Sequence, residues 1–127
     1  MKNPSSGNRD RLANYQRKLG TLHEDCPVRA ALDILRGRWK PSILYQLKDH
    51  PRRYSELQNA LPRISPQALS TQLKQLEADG LVQREVYAEV PIRVEYRLSK
   101  LGATLSDVMD SLEDWGESYL AYRRHQS

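Results

Sequence analysis

SELQNALPRISPQALSTQLKQLEADG, residues 55–80, decides how this chain folds. It reads as a short helix, a turn and a longer helix. Ser55 with Gln58 has the spacing of a capping box, which predicts a helix over 55–61. Pro62 closes it. Ser65 caps the next helix, with Pro66 at its first position, where a missing N–H costs nothing. Gly80 supplies the stop. In this second helix Leu69, Leu73 and Leu76 share one side, within about 60° of each other. Gln67, Ser70, Thr71, Lys74 and Ala78 share the other. That outward set is small and polar, with one charge. A solvated helix face usually carries Glu–Lys pairs, whereas Gln, Ser and Thr are suited to base edges and phosphates. The outline is that of a helix-turn-helix.

The flanking segments extend this reading. Upstream, CPVRAALDILRG predicts a helix with Cys26 at its N-cap, Pro27 at its first position and Gly37 at its end. Val28, Ala31, Leu32 and Leu35 are its expected buried face. Another helix starts near Trp39, with Ile43, Leu44 and Leu47 as core positions. Residues 52–54 (RRY) are no more than a stub of strand. Downstream the period changes from 3.6 to 2. VQREVY (82–87) and RVEYRL (93–98) predict a two-stranded antiparallel hairpin with Pro91 at its tip. Arg93, near that tip, is placed to enter a minor groove, where negative potential concentrates. From Ser99 to about Arg123 one long helix is predicted. Leu101, Leu105, Val108, Met109, Leu112, Trp115, Tyr119 and Tyr122 form its apolar stripe. A small domain cannot cover a stripe of that length, so it predicts a dimer interface at Leu105, Met109, Leu112, Trp115 and Tyr119. Leu12, Tyr15 and Leu19, a second stripe on a helix over 9–20, are expected to join it.

The fold class is therefore mainly α with a small β-hairpin: a winged helix-turn-helix domain with N- and C-terminal dimerisation helices. Residues 1–8, rich in Ser, Asn, Gly and Pro, are expected to be disordered. Residues 9–127 are expected to form one domain, with a body over 26–98, a wing over 82–98 and dimerisation helices over 9–20 and 99–124. Charge agrees with this division. Residues 1–100 hold 18 Lys/Arg against 11 Asp/Glu, a balance of +7. Residues 101–127 hold 2 against 5, a balance of −3. A basic body suits a polyanion, and an acidic end suits a different task.

No apolar run approaches a membrane span, no secretory h-region is present, and one cysteine allows no disulfide within the chain. A cytoplasmic protein without membrane contact is expected. Enzyme chemistry finds no constellation. His23, His50 and His125 lie in unrelated segments, and no HExxH, P-loop, GxSxG or CxxC occurs. His23 and Cys26 lack the further ligands a metal needs, so neither metal nor cofactor is expected. The remaining alternative is a winged-helix protein-interaction module that binds no operator.

CPVRAALDILRGRWKPSILYQL, RRYSELQNAL, ISPQALSTQLKQLEADGLVQR, VPIRVEYRLSKLG and the late Asp-Trp at 114–115 occur in that order. Together they make residues 26–115 resemble the HxlR-type winged-helix transcriptional regulators, relatives of the MarR group. One departure is RGRW at 36–39, where the family often has Gly-Gly-Lys-Trp. The resemblance implies a homodimer on double-stranded DNA, reading a partly palindromic operator, with the 65–79 helix in the major groove and the wing at the minor groove. Carried onto this chain, it points to Ser65, Gln67, Ser70, Thr71 and Lys74 on the helix, Arg53 beside it and Arg93 on the wing. Lys74 and Arg53 suit phosphates; Gln67, Ser70 and Thr71 suit bases. It also implies a second reading for Cys26. Either the residue is a small cap chosen for fit, or it senses an oxidant or electrophile. A helix N-terminus and Arg29 favour thiolate, while Glu24 and Asp25 oppose it.

Overall fold

The computed structural model describes residues 26–126 together with Arg11. The expected 9–20 helix with Leu12, Tyr15 and Leu19, and the 1–8 segment, lie outside the described residues. The elements run α1 (Pro27–Leu35), α2 (Lys40–Gln46), β1 (Arg52–Arg53), α3 (Tyr54–Ala60), α4 (Pro66–Ala78), β2 (Val82–Tyr87), β3 (Arg93–Leu98), α5 (Lys100–Ala103) and α6 (Ser106–Gln126). The domain is mainly helical with a small antiparallel sheet, as the alternation of periods predicts.

The core forms where the apolar faces of these elements converge. Ile43, Leu44 and Leu47 come from α2 and its end, Leu57 from α3, and Leu69, Leu73 and Leu76 from α4. Ile64, Leu81, Val82 and Met109 complete it. Burying each such side chain contributes about 1.5–3 kcal/mol, so the three leucines of α4 are enough to fix which face of that helix turns outward. Lys40 is buried at the start of α2. Burial pushes its ammonium below the usual lysine range, and the charge of Asp79, just past α4, opposes that shift.

Four expectations are corrected. First, the hairpin belongs to a three-stranded sheet ordered β1-β3-β2. β1 is two residues long, yet it pairs Arg52 with Tyr96 and Arg53 with Glu95, covering an edge of β3 that would otherwise be open. β2 and β3 pair from Val82↔Leu98 out to Tyr87↔Arg93. Second, α3 starts at Tyr54 rather than after Ser55. Its cap is formed by Glu56, whose carboxylate accepts from the Arg53 N–H at 3.0 Å, so strand runs directly into helix. Third, the predicted 99–123 helix is two helices. Ser99 caps only α5, accepting from the Gly102 N–H at 2.9 Å. The Thr104 and Leu105 N–H groups then bond three residues back, to Leu101 and Gly102. The Thr104 hydroxyl also donates to the Leu101 carbonyl at 2.5 Å. These tight turns end α5, and α6 restarts with Met109 N–H on the Leu105 carbonyl at 2.8 Å. Fourth, Val28, Ala31 and Leu32 on α1 are exposed; only Ile34 and Leu35 pack on the core.

The remaining signals appear as read. Ser65 caps α4, accepting from the Ala68 N–H at 3.1 Å. Gly37 and Gly80 both take positive φ at the ends of α1 and α4. No helix of the described residues is long and apolar enough to cross a membrane.

Candidate nucleic-acid interface

α4 sits with Leu69, Leu73 and Leu76 fully buried, so its opposite side is presented outward. Gln67 and Lys74 are exposed there, and Thr71 is half-buried between them. Ser65 and Ser70 are partly committed elsewhere. The Ser65 side chain is the helix cap. The Ser70 hydroxyl points to the Tyr54 oxygen at 3.4 Å, while Tyr54 donates to the Pro66 carbonyl at 2.8 Å. Tyr54 thus links the first turn of α3 to the first turns of α4. Arg53, just before α3, keeps its side chain exposed.

Arg93, expected as a wing cation for a groove, is ion-paired within the DNA-free hairpin. Its Nη1 donates to Glu95 at 2.7 Å, and its Nη2 and Nε donate to Glu89 at 2.9 and 3.3 Å. Its guanidinium lies 3.9 Å from the centre of the Tyr87 ring. The reason is strand geometry. Residues 93 and 95 point to the same face, and Tyr87 is opposite Arg93 in the register. The hydrogen bond to Glu89 raises the Arg93 pKa further, so the side chain stays a paired cation.

Two residues of this surface went unmarked in the sequence. Tyr54 looked like the last letter of a strand stub, and nothing local marks its hydroxyl for α4. Arg63 is exposed in the turn between α3 and α4, and it is the one cation between Leu57 and Lys74, a signal that could have been read.

Against this geometry, the HxlR-like helix-turn-helix family matches residues 34–124. The chain belongs to that family. Over 108 residues it is 44% identical to the HTH-type transcriptional regulator YdeP of Bacillus subtilis (strain 168), covering 81% of this chain and 84% of YdeP. Its structure is similar to that of the redox regulator HypR in its reduced form, with a TM-score of 0.75 and 39% identity over 79% of this chain and 99% of HypR. It is also similar to the reduced form of YodB from B. subtilis, with a TM-score of 0.67 and 34% identity over 74% of this chain and 93% of YodB. This HxlR-like protein is a transcriptional regulator of the helix-turn-helix type with a winged, MarR-like fold.

Two further features of the HxlR-like chain lie outside the α4 face. Cys26 is exposed at the N-cap of α1. Its carbonyl accepts from the Ala30 N–H at 3.0 Å, and its thiol makes no cap bond. On α6, Leu112, Trp115, Tyr119, Leu120 and Tyr122 are exposed. Trp115 stacks on Tyr119 at 5.3 Å, and Tyr119 on Tyr122 at 6.1 Å. Met109, expected on that stripe, is instead buried in the core of its own domain, and Leu105 packs beside it. α6 is tied to the body where Lys48 meets Asp110 at 2.5 Å, and Tyr45 and Glu113 line one cavity beside it. Among the described residues no cluster of His, Cys, Asp or Glu is placed to hold a metal.

Proposed function

We propose that this chain is a DNA-binding regulator rather than an enzyme, acting as a homodimer on a partly palindromic operator, with α4 in the major groove and the β2–β3 wing alongside. The observation that carries this reading is α4 itself. Three fully buried leucines hold its back, and the face left outward offers Gln67, Thr71 and Lys74. Gln67 and Thr71 suit base edges. Lys74, Arg53 and Arg63 suit phosphates. The exposed aromatic stripe of α6 is the proposed dimer face, leaving two copies of α4 to meet two half-sites.

Cys26 is read as the point where an oxidant acts. Its exposure supports this, and so does similarity to HypR, a redox regulator, and to YodB, whose structure is known in a diamide-treated form. With one cysteine in the sequence, diamide would join two thiols across chains or join Cys26 to a small thiol. The two protons and two electrons lost pass to the diamide.

Fluorescence anisotropy with a mixed-sequence duplex tests the DNA reading. Affinity is expected to fall log-linearly with salt, by roughly 10³-fold or more between 50 and 200 mM if six or more phosphates are engaged. A flat response overturns it. Adding diamide to wild type and to Cys26→Ser tests the sensor. An equal change in binding for both assigns Cys26 a structural role.

A further inference from the structure

The wing carries no net charge. Residues 82–98 hold three arginines, Arg84, Arg93 and Arg97, and three glutamates, Glu85, Glu89 and Glu95. Each arginine also lies against a carboxylate. Arg93 is held by Glu89 and Glu95, Arg97 pairs with Glu85, and Arg84 lies 4.0 Å from Glu77. A neutral hairpin whose arginines all lie against carboxylates has little to exchange for phosphate counterions, so ionic contact gives it a weak hold on DNA.

Apolar exposure, in contrast, increases from the root of the hairpin to its tip. Val82 is 3% exposed, Val86 56%, Ile92 69%, and Val90 fully exposed. The loop that presents them is braced. Arg93 reaches back to Glu89 and forward to Glu95 while lying over Tyr87. The root is fixed too. The Ser99 hydroxyl donates to the Gly80 carbonyl at 2.5 Å, and the Ser99 N–H donates to the Leu81 carbonyl at 2.9 Å. The hairpin therefore holds an apolar end out from the stop of α4.

We propose that the wing engages DNA through Val90 and Ile92, packed against the deoxyribose walls of the minor groove beside the α4 site, and that Arg93 is a positioning residue that braces the loop. This rests on the DNA-binding reading above. Reach favours DNA over another occupant. Six strand residues span about 20 Å, more than the about 12 Å width of the major groove. A hairpin rooted at the end of a helix in that groove is thus long enough to pass the phosphate wall to the next groove. Apolar side chains in minor grooves act by contact with sugars and base steps, without ion exchange.

The test uses the full chain and a duplex selected by wild type from a random pool. V90S/I92S is expected to weaken binding about tenfold at every salt concentration, with the slope of log Kd against log salt unchanged. Hydroxyl-radical protection of the sugars flanking each half-site should disappear, while protection within the α4 site stays. R93A is expected to leave the slope unchanged. If the serine pair melts early, V90T/I92T, which keeps β-branching, is read in its place. Flanking protection and affinity that survive in the variant overturn the proposal. So does a slope that falls by about one in R93A, the signature of a phosphate contact. A change in oligomeric state with an intact footprint also overturns it, by assigning the tip to a second copy. A wild-type chain that leaves no footprint overturns the DNA-binding reading as well, which separates the two failures.

Discussion

Tyr54 and Gln67 illustrate two ways a residue can serve α4. Tyr54 touches the first turns of the helix from the side, donating to the Pro66 carbonyl and receiving the Ser70 hydroxyl. Gln67 and Thr71 look outward and take no part in the core. Their substitutions should therefore separate stability from recognition. Tyr54→Phe keeps the ring but removes the hydroxyl, and is expected to lower unfolding free energy by about 0.5–1.5 kcal/mol in urea titration. The Q67A/T71A pair is expected to change stability by less than about 0.5 kcal/mol. In the proposed complex that pair should narrow the preference for a selected duplex over random DNA, by about 1–3 kcal/mol for each base edge no longer read. If Q67A/T71A weakens both duplexes equally, Gln67 and Thr71 are not reading bases.

At the scale of elements, the root of the wing shows how two turns are joined. The Leu81 carbonyl comes so close to Gly102 that an added Cβ would lie 2.1 Å from the oxygen. Gly116, inside α6, has nothing within 4 Å of the same position. Gly102→Ala must move backbone against backbone and is expected to cost about 1–3 kcal/mol, or more if the turn cannot yield. Gly116→Ala is expected to stabilise by about 0.5–1 kcal/mol through helix propensity. Thermal melts of the two variants should therefore shift in opposite directions, and a G102A that melts with wild type would show that the close approach constrains nothing. The same pair shows where sequence reasoning succeeds and stops. Periods of 3.6 and 2 in residues 55–98 reveal α3, α4 and the hairpin, because burial on one face writes the period into the chain. The Ser65 cap and the Gly80 stop are local chemistry, and they are legible for that reason. The break at 104–105 is not, since Gly102 is selected by a carbonyl about twenty residues away. β1 is legible only as a stub at 52–54, and its pairing depends on the edge of β3. The Arg93 clamp was half legible: Glu95 shares its face by alternation, but Glu89 reaches it only across the turn. On α4, the outward polar set follows from the leucine spacing, while the diversion of Ser70 toward Tyr54 needed the neighbouring helix in place.

At the scale of the whole molecule, apolar surface left uncovered is the main clue to assembly. α1 exposes Val28 and Leu32, and α6 exposes Leu112, Trp115, Tyr119, Leu120 and Tyr122. Met109 and Leu105 are taken up by the domain's own core, so the surface α6 leaves for a second copy is Val108, Leu112, Trp115, Tyr119, Leu120 and Tyr122. The Lys48–Asp110 ion pair, just past the end of α2, and Met109 in the core hold α6 to the body, and α2 packs on the core that carries α4. In the proposed dimer, pairing through the distal part of α6 therefore sets the spacing of two α4 helices. Large aromatic side chains at the centre of an interface commonly contribute about 2 kcal/mol or more each on truncation, roughly 30-fold in dissociation constant. W115A/Y119A is expected to sediment near the single-chain mass of 14.7 kDa at concentrations where wild type sediments at about twice that. Both rings are exposed within one chain, so the variant's helical circular dichroism should remain. Its affinity for a single half-site should also remain, while affinity for a two-half-site duplex should fall, since linked binding of the second half-site is lost. A variant that stays dimeric would move the interface off the aromatic stripe, and the exposed face of α1, Val28 with Leu32, is then the next surface to truncate.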